Sequence, residues 1–180
     1  MDRFLAQRFK KGDKNAFKEL YSDNFDNAIR LASAITRNDE MAKDAVQTAF
    51  IRAYEYRSSF NPQMEFSHWY NKILINECKR ALIKNQKQPV VYLDNYSSIK
   101  KSALDDYKFE KYEMLYNALQ NLKDDLRIPL LLKYINEFSE AEIAETLDLK
   151  YSTVKSRLYE GRQKIKTVLE QKGYKEYLYE

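Results

Sequence analysis

Between Ser139 and Leu169 the chain reads SEAEIAETLDLKYSTVKSRLYEGRQKIKTVL, two runs of helical periodicity joined by a tight turn. Ser139 opens the first run and Glu142 stands three residues on, the spacing of a capping box in which each side chain satisfies an orphan backbone N–H. Ile143, Ala144 and Leu147 follow at helical spacing, and the small Ala144 lets a second helix cross closely. After Asp148-Leu149-Lys150-Tyr151, Ser152 is placed to cap that second helix, whose Val154, Leu158, Ile165 and Leu169 fall on one stripe. The opposite face is left for reading a partner.

Charge divides the two helices. Glu137 to Asp148 holds five acidic residues and no basic one, whereas Lys150 to Lys166 holds six basic residues against Glu160 alone. A basic second helix behind an acidic first suits a recognition helix beside phosphates, because neutralising phosphates releases condensed counterions. The alternative from these residues alone is a helical hairpin with a solvated cationic face.

With 180 residues, 44% of them apolar, the chain can bury one ordinary core or two small ones. Only three glycines and three prolines occur, and long stretches follow a period near 3.6, which predicts an all-α fold. The net charge is +4, with the basic excess in residues 1–88. That half is also expected to touch nucleic acid. Cys78 is the single cysteine and His68 the single histidine, so no disulfide within the chain and no metal cluster is expected. No signal peptide and no run of about 18 apolar residues stands in the sequence, so a cytoplasmic chain without membrane insertion is expected.

The periodicity predicts a helix from about Asn15 to Thr36, with Phe17, Leu20, Tyr21, Ala28, Ile29, Leu31, Ala32 and Ile35 inward. Asp39 then caps a helix with a narrow seam of Ala42, Ala45, Val46, Ala49, Phe50 and Ala53. Its other face aligns Asp44, Gln47, Thr48, Ile51, Arg52 and Glu55, an apolar Ile among polar groups. This is either a solvated face with one stray Ile or a protein-binding face. A loop around Pro62 follows, then a helix from about Glu65 to Lys84 with Phe66, Trp69, Ile73, Leu74, Cys78 and Leu82 on one band. Lys72, Asn76, Lys79, Arg80 and Lys84 share another side. Helical periodicity then lapses around Pro89 and a Ser/Asn cluster. The reading is two small helical domains, 1–88 and 107–180, joined by a flexible linker over 89–106. In the second domain a helix is expected from Leu126 to Phe138, capped by Asp124-Asp125, with Pro129 near its first turn.

The order of these segments resembles the extracytoplasmic-function subgroup of bacterial sigma factors over nearly the whole chain. DAVQTAFIRAY, from Asp44 to Tyr54, looks like the segment by which that family grips the polymerase clamp helices. Phe60, Phe66, Trp69 and Asn76 match its pattern for opening and reading the −10 region, and EIAETLDLKYSTVKSRL matches the domain that reads the −35 element. Thr48, Ala49, Tyr70 and Lys123 depart from the family pattern.

The resemblance implies that the helix starting at Ser152 lies in the major groove, with Lys155, Ser156, Tyr159 and Glu160 facing base edges. Lys can donate to guanine, and Glu can accept from the cytosine amino group. Thr153, Arg157 and Arg162 then hold phosphates or brace the fold. At the melted −10 element it implies a pocket for a flipped base built from Phe60, Asn61, Phe66 and Asn76, with Lys72, Lys79 and Arg80 on phosphates. Trp69 reads as core or as stacking surface. Asp44, Gln47, Thr48, Ile51, Arg52 and Glu55 would face core RNA polymerase. The implied partners are core RNA polymerase, duplex −35 and melted −10 promoter DNA, and an antisigma factor. No cofactor and no catalytic residue is implied. The main rival reading is a stand-alone helix-turn-helix regulator that binds duplex DNA without polymerase; a second is a helical interaction module, such as a sigma-like decoy or antisigma-binding scaffold.

Overall fold

The computed structural model describes residues 3–85 and 115–171, and every element among them is helical. The linker 89–106, the start of the second unit near Tyr107 and the C-terminal tail lie outside the described residues.

Helix α1 (Arg3–Lys10) was not marked by the sequence pattern, yet it buries Leu5, Ala6 and Phe9. So short a helix offers too little periodicity to stand out from its charged neighbours. Gly12 follows with φ 88, a left-handed turn that suits glycine. Asp13 then caps α2 (Lys14–Thr36), its carboxylate accepting from the Asn15 and Ala16 N–H groups. Arg8 donates to the same carboxylate at 2.7 Å. That bond first, and the cap bonds after it, hold Asp13 below the usual carboxylate range.

Arg37 closes α2 in the left-handed conformation. The cap of α3 (Asp39–Glu55) is Asn38, not Asp39: its side-chain oxygen accepts from Met41 N–H at 2.8 Å. Asp39 becomes the first helical residue, where its charge complements the helix dipole. The predicted seam of α3 is buried throughout. On α2, Tyr21 was expected inward but is exposed, stacked on Phe25 and tilted against Phe50. A short 3-10 turn (Arg57–Ser59) leads toward α4 (Phe66–Asn85).

The second unit contains helical residues 115–120 (α5), α6 (Asp124–Tyr134), α7 (Glu140–Leu147) and α8 (Tyr151–Gln171). Three boundaries differ from expectation. α6 takes in Asp124 and Asp125 as its first turn and ends at Tyr134, which places Pro129 in its second turn. Phe138 is buried beyond the helix end, its N–H donating to Leu132 O. Ser152 lies inside the first turn of α8 and is not its cap.

α8 crosses α6 at Gly161. A Cβ there would stand 2.7 Å from Leu130 Cδ1, so any larger residue requires the buried Leu130 side chain to shift. One apolar cluster continues through both units, from Phe9, Leu20 and Leu74 to Leu131, Ile143 and Leu158.

Candidate nucleic-acid and polymerase interfaces

α8 turns Val154, Leu158 and Gly161 inward and leaves Ser152, Lys155, Ser156, Tyr159, Glu160 and Arg162 exposed. Thr153 and Arg157 are half-buried at the edge of that face. The outward row combines cationic donors, hydroxyls and one carboxylate. Glu160 is held to Lys164 at 2.8 Å across one helical turn.

The turn before α8 is built by local chemistry. Both bonds of the Ser139–Glu142 capping box form: the Ser139 N–H donates to Glu142 Oε2 at 2.7 Å, and Glu142 N–H donates to Ser139 Oγ at 3.3 Å. These bonds, with a smaller contribution from His68, hold the Glu142 carboxyl below its ordinary value. Asp148 ends α7 in the left-handed conformation, φ 53, which short polar side chains tolerate.

On α3, Asp44, Gln47, Ile51 and Glu55 are exposed, and Thr48 and Arg52 are half-buried. Ile51 is 53% exposed, and an apolar side chain this open sits on a ridge between two grooves. One groove, about 640 Å³, runs between α3 and α4 and is lined by Asp44, Gln47, Thr48, Arg52, Glu77 and Arg80 among others. The other, about 810 Å³ and mostly apolar, lies between α2 and α3 over Phe17, Tyr21, Ile29, Phe50, Ile51, Tyr54 and Glu55. All six residues expected to face a protein therefore line one groove or the other.

The residues expected at the −10 element are divided. Asn61, Asn76, Lys79 and Arg80 are exposed and Lys72 is half-buried. Phe60 and Phe66, expected as walls of an open pocket, are buried instead and pack edge-on against each other and against Phe9. The reason is hydrophobic: α1 brings Phe9 over both rings, and half-buried Trp69 completes the cluster at 5.1 Å from Phe60. In this conformation no flipped base reaches them.

Sequence reasoning missed the residues that join the two units. Arg127 is 1% exposed. Its guanidinium donates to Ile35 O at 2.8 Å, Gln120 Oε1 at 2.7 Å and Asp124 Oδ1 at 2.6 Å. Burial, then the nearby Arg37 charge, lower its affinity for the proton, offset by Asp124; arginine nonetheless stays charged. Arg37 also donates to Gln120, whose amide reaches Ala34 O at 3.3 Å. Thus α2 presents its last carbonyl groups to side chains of the second unit. The only sequence signal was an arginine inside the apolar run LRIPLLL. Farther along, His68 of α4 packs edge-on against Phe138 and stands 3.3 Å from Glu142, and Lys72 pairs with Asp148 at 2.7 Å. Glu77, also missed, is buried between Arg52 and Arg80 and pairs with both.

Among the described residues no group of His, Cys, Asp and Glu side chains could hold a metal ion, and no helix is long and apolar enough to cross a membrane.

Residues 20–88 match the family described as Sigma-70 region 2, and residues 112–165 match Sigma-70, region 4. The ECF RNA polymerase sigma factor SigW of Bacillus subtilis is 32% identical over 186 residues, covering 94% of this chain and 98% of that relative. The ECF RNA polymerase sigma-E factor of Haemophilus influenzae is 29% identical, covering 94% of this chain and 95% of the relative. Among solved structures, the sigma factor RpoE of Bartonella quintana, in complex with the anti-sigma factor NepR, shares the fold. Its TM-score is 0.71 at 22% identity, over 86% of this chain and 96% of that one. The chain belongs to the ECF family of RNA polymerase sigma factors, which direct core RNA polymerase to promoters and initiate transcription.

Proposed function

We propose that this chain divides its work as a sigma factor among three surfaces. The outward row of α8 reads the −35 duplex, with Lys155, Ser156, Tyr159 and Glu160 toward base edges and Arg162 toward a phosphate. The observation that carries this reading is that this row is exposed while Val154 and Leu158 on the apolar stripe of the same helix are buried and Ile165 and Leu169 half-buried. Direct readout in the major groove needs such donors and acceptors on a helix slender enough to enter it.

The α3 ridge with Ile51 at its crest is the polymerase face, because an apolar side chain flanked by polar ones gives a dry contact with an orienting rim. Exposed Asn61, Asn76, Lys79 and Arg80, with Lys72, form the −10 surface. Phe60 and Phe66 line a base pocket only after the aromatic cluster rearranges. The chain catalyses no covalent step itself; strand opening is driven by binding within the polymerase, in the cytoplasm where the polymerase is. The Bartonella quintana sigma factor RpoE forms a complex with the anti-sigma factor NepR, and an inhibitor of the same kind is proposed for this chain.

The test is transcription from purified core bacterial polymerase, with and without the chain, over fragments of its own upstream region, beside Lys155→Ala and Asn76→Ala variants. Initiation that requires the chain and weakens in both variants is the expected result. DNA binding without polymerase association would instead establish the stand-alone regulator.

A further inference from the structure

The acidic run from Glu137 to Asp148 repels phosphates by like charge, yet it lies next to the recognition helix. In the structure α7 packs against α4 as well as against α8. Two of its acidic groups meet the face of α4 assigned above to promoter phosphates: Glu142 reaches His68, and Asp148 reaches Lys72 one helical turn on. His68 is 11% exposed at this contact, whereas Asp148 and Lys72 remain 71% and 43% exposed, open to exchange with a solvated anion.

This arrangement is incompatible with reading both promoter elements. Elements named for positions about 25 base pairs apart lie roughly 85 Å apart along a duplex rising about 3.4 Å per base pair. A compact body of about 150 residues has a radius of gyration near 15 Å. The closed form must therefore open before its two surfaces can engage one promoter.

We propose that α7 is an internal docking surface that stands in for promoter phosphate: the Asp148 carboxylate occupies the phosphate position on Lys72 in the free chain and yields it when the units separate. The proposal rests on the assignment of Lys72 to the −10 surface. The pair is partly exposed and belongs to the weak class, so it tunes DNA affinity and does not abolish it.

The test uses the full chain without polymerase and a short fluorescein-labelled single-stranded DNA of mixed sequence, at low salt. Asp148→Asn keeps a side chain that tolerates the left-handed backbone while removing the charge. It is expected to tighten binding about threefold. Asp148→Gly, which adopts the same backbone freely, is expected to do the same, and circular dichroism verifies that both fold. Glu145→Gln, on the same helix, controls for net charge, and Lys72→Ala supplies the background in which the gain from Asp148→Asn is expected to vanish. A gain no larger than that of Glu145→Gln, or one that persists without Lys72, would overturn the proposal. Chain-dependent transcription in the preceding experiment is read separately, so failure of this docking contact leaves the sigma assignment intact.

Discussion

The Arg127 guanidinium donates to the carbonyl oxygen of Ile35 at 2.8 Å, although 92 residues separate them in sequence. Ile35 sits in the last turn of α2, where carbonyl groups lack partners within the helix. An arginine buried in the second unit supplies one. Replacing Arg127 with Met keeps much of the volume but leaves Ile35 O without this donor, while Gln120 Oε1 keeps only the bond from Arg37. Arg127→Met is expected to cost ~2 kcal/mol, read as a lower urea midpoint.

Gly161 is expected to resist substitution. The added methyl of Gly161→Ala meets Leu130 Cδ1 at 2.7 Å and Leu126 O at 3.6 Å. The strain outweighs the ~1 kcal/mol that alanine gains in helix propensity, for a net loss of ~1 kcal/mol or more. Thermal unfolding of Gly161→Ala, Leu130→Ala and the double variant checks this. The double variant should lose less than the sum of the singles, since Leu130→Ala vacates the contested space.

The capping box makes α7 sensitive to acid. The folded pKa of Glu142 is lowered, chiefly by its bonds with Ser139, below an ordinary value of 4.5. Its contribution is therefore complete above about pH 4.5 and is lost as pH falls through the folded value. The gap in unfolding midpoint between the native chain and Glu142→Gln should be widest near neutral pH and shrink on acidification below about pH 4.

Cys78 should be inert in the folded chain. Burial, with the Glu77 charge adding to it, pushes its thiol up to about 12. At pH 8 the thiolate is then on the order of 10⁻⁴ of the total. Reaction with an aromatic disulfide reagent should be slow in buffer and immediate in urea.

Ile51 separates contact from stability. Because its side chain is exposed, Ile51→Lys should shift the melting temperature by no more than about 2 °C. If the α3 ridge meets core polymerase, the same change should weaken that binding at least ~10-fold, measured by competition against the native chain.

Much of the local structure was legible beforehand. The Ser139–Glu142 box, the α3 seam from Ala42 to Ala53 and the split between the two faces of α8 all follow from side-chain spacing and backbone valence, which act within a few residues. The caps at Asn38 and Asp13 and the extent of α6 were less legible, since neighbouring polar residues compete for the same N–H groups and only the packed helix decides among them.

Family membership also lay within reach of the sequence, because the order of its motifs persists in the chain itself. Tertiary structure alone decided which cations are engaged and which rings are closed. Lys72 and His68 meet α7, Arg127 goes under α2, and Phe60 and Phe66 go beneath Phe9. Each depends on partners far away in sequence, and periodicity records which face of a helix is apolar but not what comes to cover it.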